Sequence, residues 1–383
     1  MYYRQMGSIP KKRHIQYKKE DHSLFREQVM GTKGFSGTQS ILYHYNMPTI
    51  VKESKIYPTN KIKYEEDTPL KHRHLLTEKC GKHKDAVLGR EYLLGNDDLV
   101  IGVVKPTEEM EYYYRSGDGD ELLFVHHGSG KIETIFGSIF YKEGDYIVIP
   151  IGTIYRVLPD TGKKQTLLIV EASSQITTPR RYRNEYGQLL EHSPFCERDI
   201  HGPEKLETFD QTGEYTVLTK SRGMITDHTF NHHPLDVIGW DGYLYPWKFS
   251  IHDFEPITGR IHQPPPVHQT FEGHNFVICS FVPRLYDYHP DAIPAPYYHS
   301  NVNSDEVLYY VDGNFMSRKG VTEGSITLHP SGIPHGPHPG KIEGSIGKKE
   351  TAELAVMIDT FKPLKVVSEA TRFEDHEYMS SWI

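Results

Sequence analysis

The chain has 383 residues, more than one hydrophobic core ordinarily serves, which sets an expectation of two domains. A formal net charge of −8 leaves no basic field for nucleic acid, and no apolar run approaches the ~18 residues that cross a membrane. The three cysteines, Cys80, Cys196 and Cys279, are odd in number and far apart, so neither a disulfide framework nor a thiolate zinc site is expected.

In chain order, the start MYYRQMGSIPKKRHIQ is basic but has no apolar segment after it, so it does not read as a secretory leader. With the cysteine usage, this points to a soluble protein of a reducing compartment, the cytoplasm. SILYHYNM and DDLVIGVV read as strands. Between them, NKIKYEEDTPLKHRH (residues 60–74) reads as a solvated, charged face. Residues 111–128, EYYYRSGDGDELLFVHHG, and the following KIETIFGSIFYKEGDYIVIP alternate in the manner of short strands broken by glycine turns. The polar stretch 202–242 reads as a junction between a domain over 1–205 and a second over 206–383. PYYHSNVNSDEVLYYVDG (296–313) and NFMSRKGVTEGSITLHP (314–330) then alternate again. Twenty-six tyrosines, 32 glycines and 25 prolines also favour an all-β, turn-rich chain with few short helices.

The two alternating regions are copies of one pattern. Glu121 falls under Glu306 and Gly128 under Gly313. Each copy then reaches a glycine-proline-glycine frame, Gly144–Pro150–Gly152 with Tyr155 in the first and Gly324–Pro330–Gly332 with His335 in the second. Two antiparallel barrels in tandem satisfy this arrangement. It is similar to the cupin superfamily, whose motifs read G-x5-H-x-H-x3,4-E-x6-G and G-x5-P-x-G-x2-H.

The copies differ where a metal would need ligands. Tyr114 and Tyr155 in the first stand against His299 and His335 in the second, and Glu121 keeps no nitrogen partners in the sequence frame. The amino-terminal barrel is therefore expected to be metal-free. The second keeps His299, Glu306 and His335, with Asn301 where the usual motif has another histidine. In a chain with 23 histidines, a place in the repeated frame separates these two from the rest. Two imidazoles and a carboxylate suit Fe(II), Mn(II) or Zn(II) and leave coordination positions open.

These residues resemble one family, homogentisate 1,2-dioxygenase. The resemblance is carried by Pro296-Tyr297-Tyr298-His299-Ser300-Asn301 with Glu306, by Pro334-His335-Gly336-Pro337, by PLDVIGWDG (234–242) with Tyr245-Pro246-Trp247-Lys248, and by Gly34-Phe35-Ser36-Gly37-Thr38. It implies ring cleavage of homogentisate by O2 with Fe(II) in tyrosine and phenylalanine catabolism, giving maleylacetoacetate. It implies iron on His299, Glu306 and His335, and Asn301 and Tyr298 against the substrate. His262 would be a proton acceptor, with His268 the alternative, and His329 a histidine behind the metal. It also implies trimers or hexamers. Three departures stand out. The family has one residue fewer between the first histidine and the glutamate, Phe315 takes the place of a tyrosine, and His338 that of an aspartate. A related hydroxylated aromatic acid such as gentisate therefore stays open as substrate, and so does a non-catalytic, ligand-binding bicupin.

Overall fold

The computed structural model describes residues 2–313, 315 and 320–383. The strand read over NFMSRKG falls largely outside these residues. Of what remains, nearly all regular structure is strand, and the helices are short 3₁₀ turns of three to six residues. No helix among the described residues is long and apolar enough to cross a membrane.

Two barrels stand back to back. The period-two alternation of side chains explains how strands buried on both faces read as unbroken apolar runs. In the strand Glu121–His127, Leu123 and Val125 point into the first barrel beside Ile147, Ile149, Leu167 and Ile169. Leu122 and Phe124 point the other way, into a core shared with Val307, Tyr309, Val356 and Ile358 of the second barrel. The alternate faces of those latter strands therefore line the second barrel's interior, with Glu306, Leu308, Met357, Asp359, Val277 and Cys279. Here the barrels part company. The first interior is closed by its own apolar cluster, whereas Val277, Leu308 and Asp359 in the second remain partly exposed.

The duplicated glycines sit at matching turns: Gly128 and Gly313 have φ of 99° and 96°, Gly144 and Gly324 87° and 78°, Gly152 and Gly332 80° and 89°. A side chain is strained in that left-handed region, so the repeat is also a repeat of turn geometry.

The segment read as a junction carries a long hairpin, Thr212–Ser221 and Met224–His232, whose first strand runs parallel to Tyr113–Ser116. The strand Trp247–Ser250 likewise joins the first barrel, opposite Asp145–Ile149. Sheet membership changes over between Ser250 and Gln269, downstream of the division read at residue 205. Each half also lends a strand to the other. Arg73–Leu75 pairs with Ile326–His329 in the second barrel, and Lys365–Val366 pairs with Leu94–Gly95 in the first. This corrects the end of the stretch 60–74 read as a solvated face; residues 60–71 are exposed or half-buried, but the last three are not. His72, Arg73 and His74 are buried, and Arg73 is neutralised by Glu374 at 2.7 Å and Glu65 at 2.9 Å. A charged run can be interior when its partners come from 300 residues away, which local composition does not reveal.

Candidate metal centre

The strand Asp305–Asp312 begins with an acid that its register turns into the second barrel: Glu306 lies opposite His329 on one side and Asp359 on the other. His299 and His335 arrive from two loops stitched together by reciprocal backbone hydrogen bonds, each 2.9 Å, between the same two residues. Gly336 makes that approach possible. A Cβ there would stand 2.9 Å from the Cα of Tyr298 and 2.6 Å from its ring. The Pro-His-Gly-Pro motif is thus a packing requirement for placing His335 beside His299.

The ligating atoms of His299, Glu306 and His335 all lie within 4.8 Å of one another. Nε2 of His299 is 3.7 Å from one Glu306 oxygen, and Nε2 of His335 is 3.5 Å from the other. Burial opposes ionisation of Glu306, but the three imidazoles around it, His299, His329 and His335, outweigh it and hold the carboxyl well below its usual range. The set fits a divalent first-row metal. It offers two imidazoles and an ionised carboxylate. His335, 3% exposed, keeps both ring nitrogens without a hydrogen-bond partner, a costly arrangement for a buried imidazole unless a nitrogen binds a ligand. The other nitrogen of His299 is held by the Tyr297 carbonyl at 3.1 Å, which orients the ring.

His329, grouped with the catalytic candidates, is fully buried behind this cluster. Its Nδ1 lies 2.7 Å from Glu306 and its Nε2 3.0 Å from the Tyr378 hydroxyl. With Nδ1–H donated to the carboxylate, Nε2 accepts from tyrosine, so the pair of bonds selects one tautomer. The wall continues with His72 and Trp382, which sequence reasoning left unread, and with His338. His72 meets the Pro334 carbonyl at 3.2 Å, and the Trp382 ring packs on His72 and His338. His338 bonds the Ser381 hydroxyl at 2.8 Å.

His262 is half-exposed in an irregular loop. Its Nδ1 lies 2.7 Å from Asp287, and its ring packs edge-on to Tyr297, whose other neighbour is His299. His268 is buried against Phe281, and burial, with Arg284 nearby, lowers its pKa to about 3. Tyr298 is exposed and Asn301 half-buried, on the same loop as His299. Phe315 packs edge-on against Tyr310.

In the first barrel, other groups surround the acid that corresponds to Glu306. Glu121, read as lacking nitrogen partners, is held by the guanidinium of Arg90, a residue with no place in the repeated frame. Arg90 also reaches Glu171 at 2.6 Å and the Tyr155 hydroxyl at 3.0 Å, and Lys220 pairs with Glu171 from the hairpin. Burial works against ionising Glu171, yet Lys220 and Arg90 hold it down to about 2. A fixed organic cation therefore stands where the second barrel gathers imidazoles. Arg90 and Glu171 are also among the residues lining a cavity of about 1100 Å³, with Tyr92, Lys220 and Arg222. A second cluster, His126, His127 and Glu323, lies at the seam between the barrels, and a pocket beside His127 is lined by Lys142, Lys163 and Lys164 together with Glu143.

Family models described as homogentisate 1,2-dioxygenase N-terminal and C-terminal match residues 83–251 and 259–383. A Saccharolobus solfataricus protein described as a "putative dioxygenase" is 43% identical over 385 residues, covering 100% of this chain and 99% of its own. Homogentisate 1,2-dioxygenase of Bradyrhizobium diazoefficiens is 26% identical over 71% of this chain, and that of Arabidopsis thaliana 27% identical over 70%. The chain spans 63% and 61% of the length of those two enzymes. Among solved structures, a cupin 2 conserved barrel domain protein from Leptotrichia buccalis aligns with TM-score 0.35 and 11% identity, covering 79% of this chain and 99% of its own. The chain belongs to the homogentisate 1,2-dioxygenase family of cupins.

Proposed function

We propose that the protein is an Fe(II)-dependent dioxygenase that opens the ring of a hydroxylated aromatic acid, with homogentisate as substrate and maleylacetoacetate as product. The observation that carries this reading is the grouping of His299, Glu306 and His335 within 4.8 Å, beside a barrel interior that stays partly open at Val277, Leu308 and Asp359. His299, Glu306 and His335 would hold the iron. Bound there, ferrous iron would supply the electron transfer between the ring and ground-state O2 that side chains cannot.

The chain's own residues account for the rest. His329 and Tyr378 fix the Glu306 carboxylate in orientation. His262 donates Nδ1–H to Asp287, which leaves Nε2 as an acceptor for a phenolic proton and makes the ring more electron-rich. General base assistance of this kind contributes ~10²–10⁴-fold. The apolar walls of Val277, Leu308 and Met357 suit an aromatic ring. Asn301 and Tyr298, on the His299 loop, would contact its polar groups. The amino-terminal barrel acts as a metal-free support, its charge balanced by Arg90.

A second reading, a related acid such as gentisate, is favoured by Phe315, which packs on Tyr310 and has no hydroxyl to offer. O2 uptake by anaerobically Fe(II)-loaded protein across homogentisate, gentisate and 3-hydroxyanthranilate separates the readings, with ring-cleavage absorbance identifying the product. No uptake with any of them, from protein shown to hold iron, would end the enzymatic reading. A homo-oligomer of trimers or hexamers is part of the proposal. Ile261, Tyr288, Ile293 and Val302 leave an apolar surface exposed on the loops around His262 and His299, and light scattering reads the mass directly.

A further inference from the structure

Each barrel sets two acids side by side. Glu121 lies directly opposite Glu171, and Glu306 directly opposite Asp359. Opposed residues of antiparallel strands share a face with Cβ atoms ~4.5–5.5 Å apart, so each interior carries two adjacent carboxyl groups. The repetition is visible in the sequence once the pairing is known: Glu171 is the penultimate residue of LLIVEA and Asp359 of AVMIDT, at matching places on the strands opposite the two glutamates.

The two interiors balance that charge differently. In the first, two carboxylates meet two fixed cations, Arg90 and Lys220. In the second, no lysine or arginine among the described residues forms an ion pair with either acid. Glu306 pairs with imidazoles, and Oδ1 of Asp359 is buried without a hydrogen-bond partner. Arg181, whose charge is felt at the neighbouring Cys279, is exposed and donates to the Pro266 carbonyl at 2.9 Å. By comparison with its twin, the second interior sets no fixed cation against its pair of acids among the described residues, and Asp359 keeps a buried oxygen free beside Glu306.

We propose that Asp359 is a second carboxylate of the metal centre, a positioning residue that tunes its affinity and selectivity for a divalent cation without being one of the three ligands. This rests on the metal reading of His299, Glu306 and His335. It explains why an acid is kept at a place that would otherwise suit an apolar residue, beside Cys279, Met357 and Val277.

The test is Mn²⁺ titration of the full-length, chelator-treated protein, with free Mn²⁺ followed by electron paramagnetic resonance. Asp359→Asn should weaken binding ~10–100-fold, as removal of a partner outside the ligand set does elsewhere. Asp359→Glu should recover most of the affinity, Glu306→Gln should lose it, and Asp291→Asn, on the surface, should leave it unchanged. The bound-Mn²⁺ spectrum should also change in Asp359→Asn, which a purely structural defect with unaltered circular dichroism would not produce. Should Asn at 359 unfold the protein, Asp359→Ser is read in its place. Binding within twofold of the parent in Asp359→Asn, with Glu306→Gln inactive in binding, overturns the role of Asp359 and leaves the metal centre standing. A parent protein that takes up no stoichiometric Mn²⁺, Fe²⁺ or Zn²⁺ overturns both.

Discussion

Replacing Arg90 with methionine tests the idea that a side chain fills the metal's electrostatic role in the first barrel. The Arg90 side chain is 1% exposed, and it pairs with Glu121 and Glu171, donates to the Tyr155 hydroxyl at 3.0 Å and to the Ala86 carbonyl at 3.1 Å. Methionine restores much of the volume but leaves Glu121 with no cation, while Glu171 retains Lys220. Removing one partner of a buried pair costs about 3–5 kcal/mol, because the remaining charge stays desolvated. At about 2.1 cal/mol/K per residue, unfolding of 383 residues as one unit carries about 0.8 kcal/mol/K, so the midpoint should fall by about 4–6 °C. Differential scanning calorimetry at pH 7 reads this. Adding Glu121→Gln to Arg90→Met should recover most of the loss, since the amide can hydrogen-bond to Tyr155 without a charge to balance. Metal stoichiometry should be untouched in both variants. A loss under about 1 kcal/mol in the single variant, or no recovery in the double, would refute the argument.

His262→Ala should keep its metal content yet lower kcat by ~10²–10⁴-fold in steady-state O2 uptake; an unchanged kcat removes the base from the mechanism. Gly336→Ala places a methyl group against the Tyr298 backbone, so it should separate the His299 and His335 loops and reduce metal stoichiometry, measured by mass spectrometry of the purified protein. Full occupancy in that variant would show that the loops yield. His126 and His233, each with a pKa of about 4, and His268, with a pKa of about 3, are held neutral by burial. These values lie below that of a free imidazole, so the unfolded chain binds protons first as the pH drops. The share of stability that these three contribute should be full above pH 6.5 and be lost on the way to pH 4. Urea midpoints should therefore fall less steeply across that range in His268→Phe than in the parent, and parallel profiles would contradict it.

The duplicated frame was legible because it is written in local chemistry. Glycines that need positive φ, a proline before a turn and an acid at the head of an alternating strand mark the same positions in both halves. Comparing the copies singled out His299, Glu306 and His335 and set Tyr114 and Tyr155 against the two histidines. What the copies could not show is anything that enters a barrel from outside its own frame. Arg90 precedes the first repeat, Lys220 comes from the hairpin after it, and Tyr378 and Trp382 belong to a tail with no counterpart. His72 and Arg73 looked solvated because the strand they pair with, and Glu374, come from the far end of the chain.

Sequence alone determined the all-β pattern, the pair of barrels and the identity of the metal-site candidates, since turn conformations and side-chain alternation depend on near neighbours. Tertiary structure decided which charges meet. Strand register put Glu171 and Asp359 beside the two glutamates, and chain crossings brought Arg90 to one pair and two histidines to the other. Coulomb energy in a low-dielectric interior depends on separation in space, not along the chain. The two barrels therefore share a scaffold and a pair of acids but differ in the cations brought to them.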